Sequence, residues 1–216
     1  MSSLVEELQR DALDAKVSVS DLLRKSLVIA TKLRLSEFKA WVDKELNGYT
    51  GTGEVPNYRT LRGRIVAINP ALGYIPAMIP DAALAEMLSI RYETSSAGVV
   101  ESLVACPGSM LVSDFAPDIL APLMETQRYP LIPRVQIAKT SYLGILDAVR
   151  NAILAWSLKL EADGIVGEGM SFSPKEKKLA SEKAADLRPV NCITIQHMEN
   201  SSIQQGTSKS RQRKTH

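Results

Sequence analysis

The chain has 216 residues, of which 45% are hydrophobic and 23% are charged, and its formal net charge is +2 at pH 7. Such a composition is that of an ordinary globular domain, which can bury a sizeable core without disulfide or metal staples. No apolar run approaches the length of a membrane span, and the near-balance of charge argues against a dedicated nucleic-acid binder. The first residues are acidic and amphipathic, unlike a secretory signal, so we expect a cytoplasmic protein with free thiols.

The N-terminal third carries three helix patterns. Ser3 followed by Glu6 is a capping box that opens the first helix, and either Ser18 or Ser20 caps the second. The third helix ends at Gly48, where glycine takes the left-handed conformation without steric cost. Because each helix has one apolar stripe and the links are short, we predict a small helical bundle.

The middle of the chain changes character. Residues 49–59 are polar and turn-forming, which predicts an exposed loop, and the alternating residues 61–69 predict a strand. Five prolines between residues 107 and 134 predict irregular structure with one helical turn near residues 119–124. Residues 135–139 have the pattern of a strand, and two short helices are expected between the two predicted strands.

The strongest local signal is a long helix from Ser141 to Asp163. Its apolar positions are spaced by alternating steps of four and three residues, and they are Tyr142, Leu146, Val149, Ile153, Trp156 and Leu160. Gly164 ends this helix, and a second capping box at Ser173 opens a charged helix that is expected to reach Leu187.

These elements predict an α+β fold that is predominantly α. An N-terminal helical bundle packs with the long central helix and a small set of short strands. We expect one globular domain over residues 1–189 and, over residues 190–216, a strand-like segment followed by a basic, flexible tail.

Residues that could carry catalysis or bind metal are sparse. The only histidines are His197 and His216, and no cysteine or histidine spacing fits a zinc site. Cys106 and Cys192 are expected to be buried, inert thiols. We therefore predict no metal, no cofactor and no catalytic residues.

Two further features contain residue types that are found in functional sites. The glycines of GIVGEGM (residues 164–170) suggest a phosphate loop, but a helix precedes them and no Gly-Lys-Ser/Thr follows, which favours a helix end and a tight connection. Glu161, Asp163 and Glu168 near the same helix end lack a lysine or histidine partner at motif spacing, so solvated carboxylates are expected.

The C-terminal segment is the candidate interaction site. In a stacked arrangement, isoleucines would interdigitate, glutamines would form amide ladders and a glycine would permit a bend. These residues are Ile193, Ile195, Ile203, Gln204, Gln205 and Gly206. The alternative is an ordinary edge strand followed by a disordered terminus. The four basic side chains after residue 208 predict at most weak, salt-sensitive contact with nucleic acid.

Four segments resemble the AbiTii domain family, which is named after one component of a bacterial two-gene abortive-infection system against phage. They are KLRLSEFKAWVDKELNGY (residues 32–49), PNYRTLRGR (residues 56–64), WSLKLEADGIVGEGMSFSPKEKKLA (residues 156–180) and ITIQHMENSSIQQGTS (residues 193–208). They cover the two ends of the chain well and the proline-rich middle poorly. The resemblance implies antiviral defence, and no catalytic residues come with it.

The sequence thus favours a non-enzymatic interaction or signalling module. Its expected partners are further copies of itself or a defence-system partner protein that acts as a separate effector. The alternatives are a toxin or enzyme with an unrecognised site, acting on nucleic acid, and a regulator that binds nucleic acid through the basic tail. No membrane partner is expected.

Overall fold

The computed structural model describes residues 3–50, 55–125 and 131–188. Within these ranges the fold is α+β and predominantly α, as predicted. The helices are α1 (Leu4–Leu13), α2 (Val19–Leu33), α3 (Ser36–Asn47), a 3₁₀ helix (Asn57–Arg59), α4 (Ala82–Ser89), α5 (Ala97–Ala105), α6 (Pro117–Glu125), α7 (Lys139–Ala162) and α8 (Pro174–Glu182). The strands are β1 (Thr60–Arg62), β2 (Arg64–Asn69), β3 (Gly73–Pro76), β4 (Ile90–Tyr92), β5 (Met110–Asp114) and β6 (Pro133–Ala138).

Helices α1 to α3 form the predicted bundle, and their first turns follow the local signals. The Ser3 side chain accepts from the Glu6 N–H and the Glu6 carboxylate accepts from the Ser3 N–H, so the capping box is confirmed. Ser18, rather than Ser20, caps α2. Ser20 is instead bound by Glu101 of α5, whose carboxylate also accepts from the Val19 N–H at 2.6 Å. Glu101 thereby joins α5 to the bundle.

Helix α7 is the spine of the domain. All six residues of the predicted stripe are buried. The Trp156 ring stacks on Phe38 of α3 with centroids 3.7 Å apart and planes 9° from parallel, which fixes α7 against the bundle. The Arg150 guanidinium donates to the carbonyls of Ala12 and Val17 at 3.1 and 2.5 Å, so it also holds the link between α1 and α2.

The proline-rich middle is more regular than its composition predicts. Four strands form an antiparallel sheet in the order β3-β2-β6-β5, and β1 pairs with β4 in a separate ribbon. The predicted helical turn near residues 119–124 lies in α6, whereas the expectation of irregular structure was wrong at residues 110–114, which form β5. Pro117 begins α6 and Pro133 begins β6, Pro122 lies within α6, and β5 contains no proline.

The predicted strand over residues 61–69 is divided at Gly63. A Cβ atom there would lie 2.4 Å from a Val135 side-chain methyl and 2.8 Å from the Gln136 carbonyl. Only glycine lets the backbone pass so close to β6, and the chain switches from the β1–β4 ribbon to the larger sheet at this point.

The sheet has two unlike faces. Alternate residues of β2, β5 and β6 on one face, including Ile65, Leu111 and Ile137, pack against the helical core. The opposite, outer face carries the exposed side chains Ile68, Tyr74 and Val112. The hydrophobic core therefore lies between the inner face of the sheet and helices α1 to α3, α5 and α7.

The last described helix begins as predicted. Ser173 and Glu176 form the second capping box, with Pro174 at the first helical position. Helix α8 ends at Glu182, and turns continue to Leu187, where the sequence predicted helix. The division into residues 1–189 and 190–216 remains a prediction, because the second part lies outside the described residues.

Candidate functional site

A buried ion pair joins two of the segments that resemble the AbiTii family. Glu45 lies on the last turns of α3, and Arg59 ends the 3₁₀ helix; the side chains of both are 0% exposed. The Arg59 Nη2 atom donates to Glu45 Oε2 at 2.5 Å, and Nε donates to Oε1 at 3.2 Å. This two-point contact fixes the orientation of both side chains. The predicted exposed loop over residues 49–59 was wrong at its end, because the Arg59 charge finds a partner inside the protein.

Three aromatic side chains complete the cluster around Glu45. The hydroxyls of Tyr49 and Tyr58 donate to Glu45 Oε1 at 2.6 and 2.5 Å. Trp41 Nε1 in turn donates to the Tyr58 oxygen at 3.0 Å. The Arg59 guanidinium also lies over the Tyr49 ring, 4.8 Å from its centroid. We call Trp41, Glu45, Tyr49, Tyr58 and Arg59 the Glu45 cluster.

The Glu45 cluster reaches a third part of the chain through Arg59. Its Nη1 atom donates to the carbonyls of Glu93 and Ser95, at 3.1 and 2.8 Å, in the link between β4 and α5. The backbone approaches the same link at Gly48, where a Cβ atom would lie 2.9 Å from the Thr94 carbonyl. Gly48 does end α3, but with φ 91° and ψ 166° rather than in the predicted left-handed conformation. It places the next residue, Tyr49, over Arg59.

The electrostatics of the Glu45 cluster hold its protons in place. Burial, followed by the neighbouring Glu45 charge, raises the pKa of both Tyr49 and Tyr58 well above the ordinary value of a phenol. Burial alone would lower the pKa of Arg59, but the hydrogen bonds and charge of Glu45 raise it. Both phenols therefore stay protonated and Arg59 stays charged at neutral pH.

The hydrogen bonds of the Glu45 cluster stabilise the backbone of the segments that they join. Glu45 Oε1 accepts from two phenols and a guanidinium nitrogen, and Oε2 accepts from a second guanidinium nitrogen. A carboxylate engaged in this way is a poor general base, and phenols with raised pKa values are poor nucleophiles. The cluster instead joins α3, the 3₁₀ helix and the link before α5.

A second carboxylate, that of Glu176, fixes the GIVGEGM connection. Glu176 Oε1 accepts from the N–H groups of Val166 and Gly167 at 3.0 and 2.8 Å. Its Oε2 accepts from the Ser173 N–H and hydroxyl at 2.7 and 2.8 Å. Backbone amides that would suit a phosphate are thus directed at a carboxylate of the same chain. The predicted helix end and tight connection are confirmed, with a bridge between Glu168 and Ser171.

The carboxylates near the end of α7 do not converge on one site. Glu161 accepts from Gln9 at 3.0 Å, whereas Asp163 pairs with Lys183. Among the residues that the structure describes, no group of three or more His, Cys, Asp or Glu side chains could hold a metal ion. Helices long and apolar enough to cross a bilayer are also absent from residues 3–50, 55–125 and 131–188.

The remaining sequence candidates divide between the surface and the end of the chain. Cys106 is exposed, so its expected burial was wrong. The side chains of Cys192, His197 and His216 lie outside the described residues. So does the whole proposed interaction set, which is Ile193, Ile195, Ile203, Gln204, Gln205 and Gly206.

Sequence reasoning missed the Glu45 cluster, although one signal for it was present. Phe38, Trp41 and Val42 define the apolar stripe of α3, and Glu45 continues that stripe at helical spacing. A carboxylate on a buried stripe requires a cation or several donors, and Arg59, next to Tyr58, lies 14 residues further along the chain.

These features define a small α+β domain. The segments that resemble the AbiTii family meet in it at a buried ion pair and at contacts between a carboxylate and backbone amides. The AbiTii family model matches residues 3–185, which is most of the chain, and the chain belongs to the AbiTii family. Membership implies a part in abortive infection, a defence against phage. Neither a curated protein nor a solved structure gives a significant match.

Proposed function

We propose that this chain is a non-enzymatic interaction module of a bacterial abortive-infection system. It works in the cytoplasm, where it assembles with copies of itself or couples to a separate effector protein. One observation carries the proposal. In the segments that resemble the AbiTii family, charged and aromatic side chains bind other parts of the same chain around Glu45 and Glu176. A domain stabilised in this way suits a scaffold that presents contact surfaces.

In this proposal the contacts of the C-terminal segment pass the defence signal. Ile193, Ile195 and Ile203 supply apolar contacts between copies, while Gln204 and Gln205 supply amide hydrogen bonds and Gly206 permits a bend. The sequence pattern supports this role, because β-prone segments with few charges and no proline favour stacking.

The experiment compares two truncations with the full chain in phage-challenged bacteria. Ending the chain after Pro189 removes the whole proposed contact segment, whereas ending it after Ser208 removes only the basic residues beyond it. We expect the first truncation to melt at the same temperature, to assemble less than the full chain and to lose protection. The second should keep both assembly and protection, because it retains residues 193–206.

Three outcomes would count against the proposal. If the chain that ends at Pro189 assembles and protects fully, the contacts lie in the helical body or the sheet. If the purified full chain cleaves DNA or RNA and a loss of cleavage accompanies every loss of protection, the protein is an enzyme of the toxin class. Loss of protection on truncation after Ser208 would instead indicate contact with nucleic acid.

A further inference from the structure

Strand β5 is an edge strand of the four-stranded sheet in the part of the chain that the structure describes. Among the described strands, β3 and β5 lie at the two edges, and β5 is hydrogen-bonded to β6 on one side only. An edge strand presents unpaired N–H and C=O groups, which form a template for another strand unless proline, charge or covering structure protects it.

The register shows which groups of β5 point outward. The Lys139 N–H donates to the Ser109 carbonyl at 2.9 Å, so this pair is a hydrogen-bonded pair of the antiparallel ladder. Bonded and non-bonded pairs alternate, and the backbone groups of Met110, Val112 and Asp114 therefore point away from β6. The side chains of these three residues lie on the outer face of the sheet.

The same reasoning applied to β3 gives a protected edge. The Ala77 N–H donates to the Ile65 carbonyl at 3.1 Å, so the outward groups of β3 belong to Tyr74 and Pro76. Pro76 has no N–H to offer and blocks continuous pairing. Strand β5 has no proline and no lysine, and its single charge, Asp114, pairs with Arg134 of β6 at 2.7 Å.

We propose that β5 pairs with β5 of a second copy of this chain, antiparallel about a two-fold axis through Val112. This places Val112 opposite Val112, and Met110 of each copy opposite Asp114 of the other. All of these residues present outward backbone groups, so each opposed pair can exchange two hydrogen bonds. The proposal rests on the self-assembly proposed above and adds a contact that does not involve residues 193–206.

The charge and exposure of the β5 side chains are compatible with pairing to a second copy of the chain. In this register, Asp114 faces methionine and not another aspartate, so no like charges oppose each other. The Val112 side chain, which is 38% exposed on the outer face, meets its own copy at the axis. The outer faces of the two sheets then become continuous, with Arg134 and Gln136 beside the new strand pair.

A site-specific cross-link tests the contact in the full-length protein. Cys106 and Cys192 are replaced by serine, and Val112→Cys is introduced with a short bismaleimide as the linker. Opposed residues in a bonded antiparallel pair have Cα atoms about 5.5 Å apart, so we expect efficient cross-linked dimer. The matched control is Tyr74→Cys, which occupies the outward position of the proline-protected edge and should give little dimer.

The outcome distinguishes β5 pairing from the proposed contact through the C-terminal segment. A cross-link at position 112 that persists in a full-length Ile195→Lys variant supports β5 pairing and makes it independent of the C-terminal segment. Absence of that cross-link in a sample that sediments as an assembly overturns β5 pairing and leaves the C-terminal contact standing. Equal cross-linking at positions 74 and 112 would indicate random collision and would also overturn it.

A second variant tests the hydrogen bonds of the edge. Val112→Pro removes one N–H that points away from β6, so the ladder with β6 is retained. We expect the dissociation constant from sedimentation to rise by about tenfold or more. Tyr74→Pro should leave it unchanged. An unchanged constant in Val112→Pro, or a wild-type protein that is monomeric at its highest soluble concentration, would refute the proposal.

Discussion

One ion pair of the helical body, Glu45–Arg59, and one of the four-stranded sheet, Asp114–Arg134, differ in their exposure to solvent. In the helical body, Glu45 and Arg59 are removed from solvent and held by several partners each. On the sheet, the Arg134–Asp114 pair lies on an outer face beside exposed apolar side chains, including Ile68 and Val112. A buried charge must keep its partners, whereas an exposed pair exchanges them with water at little cost. The buried pair is therefore expected to contribute to stability, whereas the pair on the sheet is expected to contribute little.

The largest effect is expected where the buried pair of the helical body is broken. Arg59→Met leaves the Glu45 carboxylate buried without its cation, which should lower the free energy of unfolding by about 3–5 kcal/mol. The matched control is Arg62→Met, three residues later, because Arg62 pairs with Glu86 at the surface and should contribute about 0–1 kcal/mol. Urea unfolding measures both, and equal losses would mean that burial of Arg59 has no energetic role.

A similar loss is expected from the aromatic contact between α7 and the bundle. Trp156 is 2% exposed and stacks on Phe38, so Trp156→Ala should cost about 3–5 kcal/mol. Leu158→Ala, at a position 49% exposed on the same helix, should change stability by less than about 0.5 kcal/mol. Thermal and urea melts check the pair. A melt of Trp156→Ala that barely moves would show that α7 is not the spine of the fold.

The Glu176 contact should have a smaller effect, and one that depends on pH. Partial burial alone would raise the pKa of Glu176, but hydrogen bonds from Gly167, Ser173 and Val166 outweigh it and lower the pKa below its usual value. A lowered folded-state pKa contributes stability above the unfolded pKa of about 4.3, and this stability is lost as pH falls through the folded value.

Glu176→Gln should therefore destabilise the protein by about 1–3 kcal/mol at pH 7, and the difference from wild type should shrink as the pH falls below about 4. Urea unfolding across this pH range measures the effect. Glu182→Gln is the control on the same helix, because its side chain is 59% exposed and lies 3.9 Å from Lys178. A difference that grows toward acid would contradict the assignment of Glu176 as an ionised acceptor.

The helical body and the sheet also differ in how far the sequence predicts them, because helices depend on local contacts and the sheet on contacts between distant residues. The capping boxes at Ser3 and Ser173 and the stripe of α7 are local patterns, and each depends on residues within a few turns of one helix. The pairing of β5 with β6 joins residues that α6 and several prolines separate, so no local pattern reveals it. The sequence therefore predicted the helices and which of their faces are buried, whereas it predicted only part of the sheet.

The candidate site was less predictable than the fold. Glu45 interrupts an apolar stripe and so could have been suspected, but Arg59 lies in a segment whose polar composition is typical of an exposed loop. Its burial depends on two other segments. The end of α3 with the residues that follow it supplies Glu45 and Tyr49, and the link before α5 supplies the carbonyls of residues 93 and 95. Such convergence is a property of the folded chain and has no periodicity to detect.

The smallest effect on stability is expected on the sheet. Asp114→Asn removes the charge that faces Arg134, but the Asp114 side chain is 69% exposed, so water and salt screen the pair. The midpoint of urea unfolding should stay within experimental error of wild type, at both low and high salt. The loss in Arg59→Met should persist at high salt, because the Glu45 cluster is closed to ions. If Asp114→Asn instead shifts the midpoint as much as Glu176→Gln does, the Asp114–Arg134 pair contributes to the fold, and the contrast between a buried structural pair and a screened surface pair must be abandoned.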